Sequence, residues 1–250
     1  YQADVEVFDS LEGFVPKMVL QKGRVVAREG RILDGVVPKT SPPQSLYNRV
    51  NLHHVPTADE LTIEPPANGM ANVIGVKSGT VRTTAMQMDV NDPANDIARI
   101  AVVERHKATG RIGLGYVSGY GIRRGAIAST VAHDAHNIMV VGSRDAGGPV
   151  DISVAIARVA EIGGGQVVVV DGKVVAEVAL PVCGLISDQP LETVAAQLDV
   201  VVEAAHSIGI TLDAPFMSLS FLGLSVIPDL RITDLGLIDV NLFAQIPVAL

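Results

Sequence analysis

Near the start of the chain, Val5 and Val7 alternate with acidic residues in Tyr1-Gln2-Ala3-Asp4-Val5-Glu6-Val7-Phe8, the two-residue repeat of a strand. Val15 to Leu20 forms a second short apolar run. Gln21-Lys22-Gly23-Arg24 then reads as a turn into Val25-Val26-Ala27. Residues 1–38 are therefore predicted to be a small β unit. Short strands without a helix do not cover their own apolar face, and the neighbouring sequence supplies no partner sheet. A first residue other than Met, already inside a strand pattern, is expected of a piece of something longer. Pro38, Pro42 and Pro43, and then Glu64-Pro65-Pro66-Ala67-Asn68-Gly69, break the pattern. They predict a linker or extended crossing segment over residues 39–69.

From residue 70 to 250 strand and helix patterns mix. Val73-Ile74-Gly75-Val76, Arg99 to Val103 and Ile138 to Val141 are strand-like. Asp151 to Ile162 predicts a helix with Ile152, Ile156 and Val159 on one stripe, capped near Asp151 and ended by Gly163-Gly164-Gly165. Gln166 to Val170 predicts a buried strand, and Asp171-Gly172 a tight hairpin into Lys173 to Leu180. Pro190 to Ser207 predicts a long helix, with Glu192 favouring its dipole and Gly209 closing it. Leu191, Val194, Leu198, Val201, Val202 and Ala205 would form its inward face. The tail from Phe216 is apolar, with Thr233-Asp234 as a cap or turn. The fold class expected is mixed α/β (α+β): a small β unit followed by a mixed-sheet α/β domain.

Composition narrows the chemistry. The chain is 48% hydrophobic and 18% charged, the balance of a folded protein. Its formal net charge of -8 argues against nucleic acid and against a polybasic membrane anchor. The single cysteine, Cys183, excludes an intrachain disulfide and a Cys-rich zinc site, and fits a reducing, cytoplasmic setting. The apolar run Ala214 to Pro228 is too short to span a membrane, and no signal-peptide pattern is found.

The densest polar cluster is His133-Asp134-Ala135-His136-Asn137, between the small-residue run Gly125 to Ala132 and an apolar strand. On a helical turn His133 and His136 would share a face. Two imidazoles can begin a metal site, but zinc or iron needs a third ligand, which Asp134, Asp145, Glu104 or His106 would supply through folding. The other readings are a strand junction whose side chains satisfy free backbone groups, or a ligand-facing cluster. Glu104-Arg105-His106 ends a strand and reads as a solvated, ion-paired rim or as a site. Gly119-Tyr120-Gly121-Ile122-Arg123-Arg124-Gly125 offers amides and arginines to a phosphate, yet matches neither Gly-x-Gly-x-x-Gly nor the Walker spacing, and a plain turn is favoured. Cys183 is embedded in apolar residues and predicts packing. Ser129-Thr130 lacks a nucleophile elbow. His53-His54 and His206 read as surface histidines.

The stretch Ala128 to Gly142 resembles the signature of the C-terminal domain of bacterial adenine deaminases, members of the amidohydrolase superfamily. Leu180-Pro181-Val182-Cys183-Gly184-Leu185-Ile186-Ser187 resembles a second signature. Pro215 to Phe221 and Ile227 to Leu237 are similar to the family's tail, and Val103 to His106 also fits. The resemblance runs from about residue 70 to the end. Residues 1–38 are similar to the returning strands of the amidohydrolase β-sandwich. It implies a purine-metabolism hydrolase converting adenine and water to hypoxanthine and ammonia, with a manganese or iron pair that activates water and a carboxylate that moves the proton. It places that metal-bearing barrel, with its His-x-His motif, outside this chain, which has no His-x-His; no metal ligand is assigned here, and the chain alone is expected to be inactive. Adenine, the barrel and further copies of the chain are the expected partners. On this resemblance His133, Asp134, His136 and Asn137 would face the active site, and Glu104, Arg105 and His106 would bind substrate. The alternatives are a non-catalytic structural or oligomerisation domain, or a small-ligand module built on Gly119 to Gly125.

Overall fold

The computed structural model describes residues 2–37, 40–145 and 147–250. The chain divides into two compact units, one ending at Pro42 and the other running from Pro43 to Leu250. The first is an antiparallel sheet of β1 (Val5–Val7), β2 (Met18–Gln21), β3 (Arg24–Arg28) and β4 (Arg31–Ile32), in that order. Its two tight turns are Lys22-Gly23 and Glu29-Gly30, with positive φ at both residues of each. That is the backbone of the hairpin turn whose twist matches its strands. Strand β4 is an addition to the three strands read from the pattern. No side chain between residues 2 and 37 is buried, and Phe14, Val15 and Ile32 stand about two-thirds exposed.

The second unit is built on eight strands: β5 (Met70–Gly75), β6 (Thr84–Asp89), β7 (Ala98–Val103), β8 (Ile112–Ser118), β9 (Ala126–Ser129), β10 (Ile138–Gly142), β11 (Gly165–Val170) and β12 (Lys173–Ala179). Their order is β12-β11-β9-β10-β7-β8-β5-β6. Every neighbouring pair is antiparallel except β5 and β8, so the sheet is mixed. Both faces are covered. Ala101, Val103, Ile138, Val140, Val167 and Val169 point into one core with Ile152, Ile156 and Val159 of α1 (Gly148–Glu161). Ile100, Val102, Met139, Val141 and Val168 point into the other, with α2 (Leu191–Ser207) and α3 (Pro215–Phe221). Burial on both faces explains why these strands read as continuous apolar runs rather than alternating ones. A second sheet, β13 (Leu230–Thr233), β14 (Gly236–Asp239) and β15 (Ala244–Gln245), packs Leu230, Ile232 and Leu237 into the α2–α3 core.

Close approaches account for the small residues. A Cβ on Gly113 of β8 would lie 1.9 Å from the Thr233 carbonyl oxygen. One on Gly142 would lie 2.5 Å from Ile152 Cγ1, so the glycine lets α1 rest on β10. Asp151 does not cap α1, which starts at Gly148; its carboxylate instead accepts from Gly172 N–H at 2.6 Å and pins the hairpin turn between β11 and β12.

Two expectations change. Leu191, placed on the inward face of the long helix, is 78% exposed; Val201 and Ala205 are the buried positions, with Val194, Leu198 and Val202 half-buried against the core. The first turn of α2 is exposed, so the apolar stripe begins before the covered part of the helix does. The linker expected over 39–69 is also more than a connection: from Pro43 onward it belongs to the larger unit. Leu61 is buried in the α1 core, Ser153 Oγ donates to the Pro56 carbonyl at 2.6 Å, and Thr57 and Glu60 close a turn through their side chains. No helix among the described residues is long and apolar enough to cross a membrane.

These placements fix a stability contrast. Ile156→Ala empties a fully buried site and is expected to cost about 2–5 kcal/mol, whereas Leu191→Ala is expected to stay within about 0.5 kcal/mol. Urea unfolding of the two variants reads the difference directly.

Candidate functional site

The segments singled out by sequence meet where β7 and β10 lie side by side. Arg105, just beyond β7, is 2% exposed. Its guanidinium donates to three carbonyl oxygens: His136, Arg49 at 3.0 Å and Cys183 at 3.1 Å. Burial lowers its pKa. Glu104 is 4% exposed. Its carboxylate accepts from the backbone N–H groups of His106, Lys107 and Thr109 and from the Thr109 hydroxyl. Burial pushes that carboxyl up, but the four donors outweigh it and hold the pKa at about 2. Among the described residues Glu104 is thus not paired with a cation; it ties the turn 104–109 together. His106 Nε2 lies 2.7 Å from the Ala135 carbonyl oxygen, joining that turn to the cluster.

The cluster occupies the connection between β9 and β10 rather than a helix, so His133 and His136 do not share a helical face. Their ring centroids are 6.2 Å apart. His136 sits at φ 50° and closes a local turn: its N–H donates to the Ala132 carbonyl at 2.6 Å, and its Nδ1 accepts from the Ala132 N–H at 3.1 Å. An accepting Nδ1 requires an unprotonated nitrogen there. Burial first, and then the Arg105 charge, lower the His136 pKa and keep the ring neutral. His133 stacks on Phe221, with centroids 4.5 Å apart and planes 5° from parallel, and its Nδ1 lies 3.2 Å from Ser220 Oγ. Asn137 Nδ2 donates to Asp234 at 3.2 Å, and Asp234 accepts from Arg111 Nε at 2.6 Å. Among the described residues Asn137 Oδ1 is buried without a partner, beside a cavity of about 20 Å³ that His133 and Thr233 also line, room for one water. Asp134 is exposed and has no side-chain hydrogen bond among the described residues.

The second signature belongs to the same network. Thr130 Oγ1 donates to the Gly184 carbonyl at 2.6 Å and accepts from Gly165 N–H at 2.8 Å. Ser129 Oγ serves its own turn, accepting from Val131 N–H. In the glycine-rich loop, the N–H groups of Gly119 and Gly121 already donate to the Asp96 carboxylate at 2.9 and 3.0 Å. An internal carboxylate thus takes the position offered to a phosphate. His54 pairs with Glu60 at 2.8 Å, and His206 Nε2 lies 3.0 Å from the Leu212 carbonyl.

Sequence reasoning passed over Arg231, the one strongly polar side chain of β13. It is fully buried and donates to the carbonyls of Ile227, Phe221, Val81 and Pro228. Burial lowers its pKa to about 10. An arginine at an inward position of an apolar strand is the signal that would have found it. Asp234 and Asp96 were also missed, because their partners lie more than twenty residues away. Among the described residues no three His, Cys, Asp or Glu side chains converge as a metal-ligand set.

Comparison with known proteins places the chain among named relatives. Residues 75–244 match the model of the adenine deaminase C-terminal domain. The chain is 44% identical over 250 residues to the adenine deaminase of Desulfatibacillum aliphaticivorans, covering 97% of this chain and 42% of the relative. It is 39% identical to adenine deaminase 2 of Carboxydothermus hydrogenoformans, covering 100% and 44%, and 40% identical to the adenine deaminase of Methanothrix thermoacetophila, covering 99% and 43%. The chain therefore spans less than half the length of these relatives.

Glu104 gives the site a pH signature. Its folded pKa of about 2 lies below the ordinary glutamate value of 4.5, so its contribution is fully present above pH 4.5 and is lost as pH falls toward 2. Linkage puts that contribution at roughly 3 kcal/mol. Glu104→Gln is expected to lower stability at pH 7 and to flatten the acid limb between pH 4.5 and 2, read by urea unfolding across that range.

Proposed function

The chain belongs to the adenine deaminase C-terminal domain family, and from that premise we propose that it is the C-terminal part of a hydrolase converting adenine and water to hypoxanthine and ammonia. The support is the adenine deaminase name carried by relatives aligned over nearly the whole chain. A manganese or iron pair supplies the activated water when bound in such an enzyme. The donors described here do not suit such a pair. His136 Nδ1 accepts a backbone hydrogen bond, which leaves the proton of its neutral ring on Nε2, and among the described residues no three His, Cys, Asp or Glu side chains converge. The metal ligands are therefore assigned to the part of the enzyme that this chain does not span, and no step is routed through residues here.

This chain's own contribution is positioning. Glu104, Arg105, His136 and Asn137 hold the signature loops to one another. Asp134, exposed and unbonded among the described residues, is the member of the cluster left to face a ligand. A reducing, cytoplasmic setting and a homo-oligomer complete the proposal. The structural alternative is favoured by one observation: Arg105, Glu104, His136 Nδ1 and Asn137 Nδ2 all spend their hydrogen bonds within the unit.

Kinetics and melting of the intact deaminase separate these roles. Asp134→Ala is expected to leave the melting temperature unchanged and to lower kcat/KM by about 10-fold or more, the worth of one charge-assisted contact. His136→Ala is expected to lower the melting temperature by several degrees. Unchanged kinetics with Asp134→Ala would leave the domain a purely structural layer. The 250 residues alone, with manganese added, are expected to give no ammonia from adenine; turnover there would overturn the division of labour.

A further inference from the structure

A groove of about 480 Å³ opens in the larger unit between the segment Val76–Thr83, which follows β5, and α3. Apolar side chains, Val76, Val81, Met217, Phe221 and Leu222, make most of its wall. Val81 and Met217 are 42% and 55% exposed, so this apolar surface meets water. One ring face of Phe221 is covered by His133, which fixes that wall. No acidic residue lines the groove, although the chain as a whole carries a net charge of -8. Two arginines do. Arg231 is fully buried, and its four hydrogen bonds to carbonyls take Nε–H, one Nη1–H and both Nη2–H groups, leaving one Nη1–H over. Arg82 is exposed, and its guanidinium has no hydrogen bond or ion pair among the described residues. Two acids outside the lining have their own partners: Asp213 accepts from Ser78 Oγ at 2.5 Å, and Asp229, whose charge bears on Arg231, accepts from Asn241.

We propose that this groove is a binding site for a small organic anion with a flat apolar body, the body lying against Val81, Met217 and Phe221 and the carboxylate or phosphate meeting the exposed guanidinium of Arg82, with the buried charge of Arg231 behind the wall. The volume and the mainly apolar wall with a few polar groups are those of small-molecule sites. The planar guanidinium fork is the side chain best matched to a carboxylate or phosphate. A buried cation bonded only to neutral carbonyls gains from an anion brought near it. The assignment does not depend on the deaminase reading, since it uses no residue of the cluster except as support for Phe221.

Titration calorimetry on the 250-residue chain tests it with four probes. Benzoate and phenyl phosphate carry both features, benzamide keeps the ring without the charge, and acetate keeps the charge without the ring. Saturable binding of at least one ring-bearing anion is expected, about 10-fold or more tighter than benzamide or acetate; which of the two binds better tells whether the head group is a carboxylate or a phosphate. Arg82→Met is expected to weaken that binding about 10- to 100-fold with the ligand-free melting temperature unchanged. Arg124→Met, an exposed cation outside the groove, is expected to change nothing. Met217→Glu, which sets a negative charge on the wall, is expected to abolish binding and serves should Arg82→Met fail to fold. No saturation with either ring-bearing anion at millimolar concentration, equal binding of benzamide or acetate, or undiminished affinity in Arg82→Met and Met217→Glu would overturn the proposal.

Discussion

The guanidinium of Arg105 is buried without a carboxylate and bonded to carbonyl oxygens of Arg49, His136 and Cys183. Those carbonyls come from three segments that the chain visits more than thirty residues apart. A bare charge in a protein interior is costly, so this arginine persists there because its donors are met. Each carbonyl in turn would be left unsatisfied without it, at about 1–3 kcal/mol apiece. The residue's own carbonyl accepts from Asn51 N–H at 2.8 Å, which brings in the segment after Pro43 a second time. The knot also dictates a neighbour. A Cβ on Gly184 would sit 2.8 Å from Arg105 Nη1, and that glycine has φ +72°, so both space and backbone demand glycine after Cys183.

The same solution recurs elsewhere in the unit. Arg231 gathers four carbonyls below the groove, Glu104 gathers three backbone N–H groups and a hydroxyl, and Asp96 gathers two glycine amides. In each case one charged side chain satisfies backbone groups that irregular connections leave free. This is how a unit with so many connections between strands keeps its buried polar groups paired. It also redistributes chemical meaning along the sequence. The conspicuous residues of a motif become internal fasteners, and the groups with spare bonding capacity, Asp134, Arg82 and one N–H of Arg231, lie beside them.

This redistribution explains what was legible from the amino-acid order. The strands β7, β10 and β11 and the helices α1 and α2 follow from short-range patterns, because apolar runs and a helical stripe are local. Strand β8 was missed because Gly113 and Gly115 break its run, and those glycines are there for the close approach of β13 and β14. Leu191 was misplaced because the stripe says which face is apolar and not where along the helix that face is covered. The density of polar residues from His133 to Asn137 was visible in the sequence, and so were the charges of Glu104 to His106 at a strand end. What each one bonds was not, since the partners, Thr109 apart, lie between 29 and 97 residues away or on the backbone. Nothing local distinguishes a carboxylate that collects amides from one that meets a substrate.

Phe221 joins the two halves of this picture. Helix α3 has seven residues, too few to be stable by its own hydrogen bonds, so tertiary contacts set its position. Phe216 and Leu219 anchor it in the core, and the Ser220 carbonyl accepts from His133 N–H at 3.0 Å while His133 stacks on Phe221. The loop that carries the cluster therefore holds the wall of the groove, and the Phe221 carbonyl is itself one of the acceptors of Arg231. Any displacement of the 133–137 connection moves a ring and a carbonyl that shape the groove. The polar knot around Arg105 and the cationic groove are thus two faces of one packed assembly, linked through a single aromatic side chain.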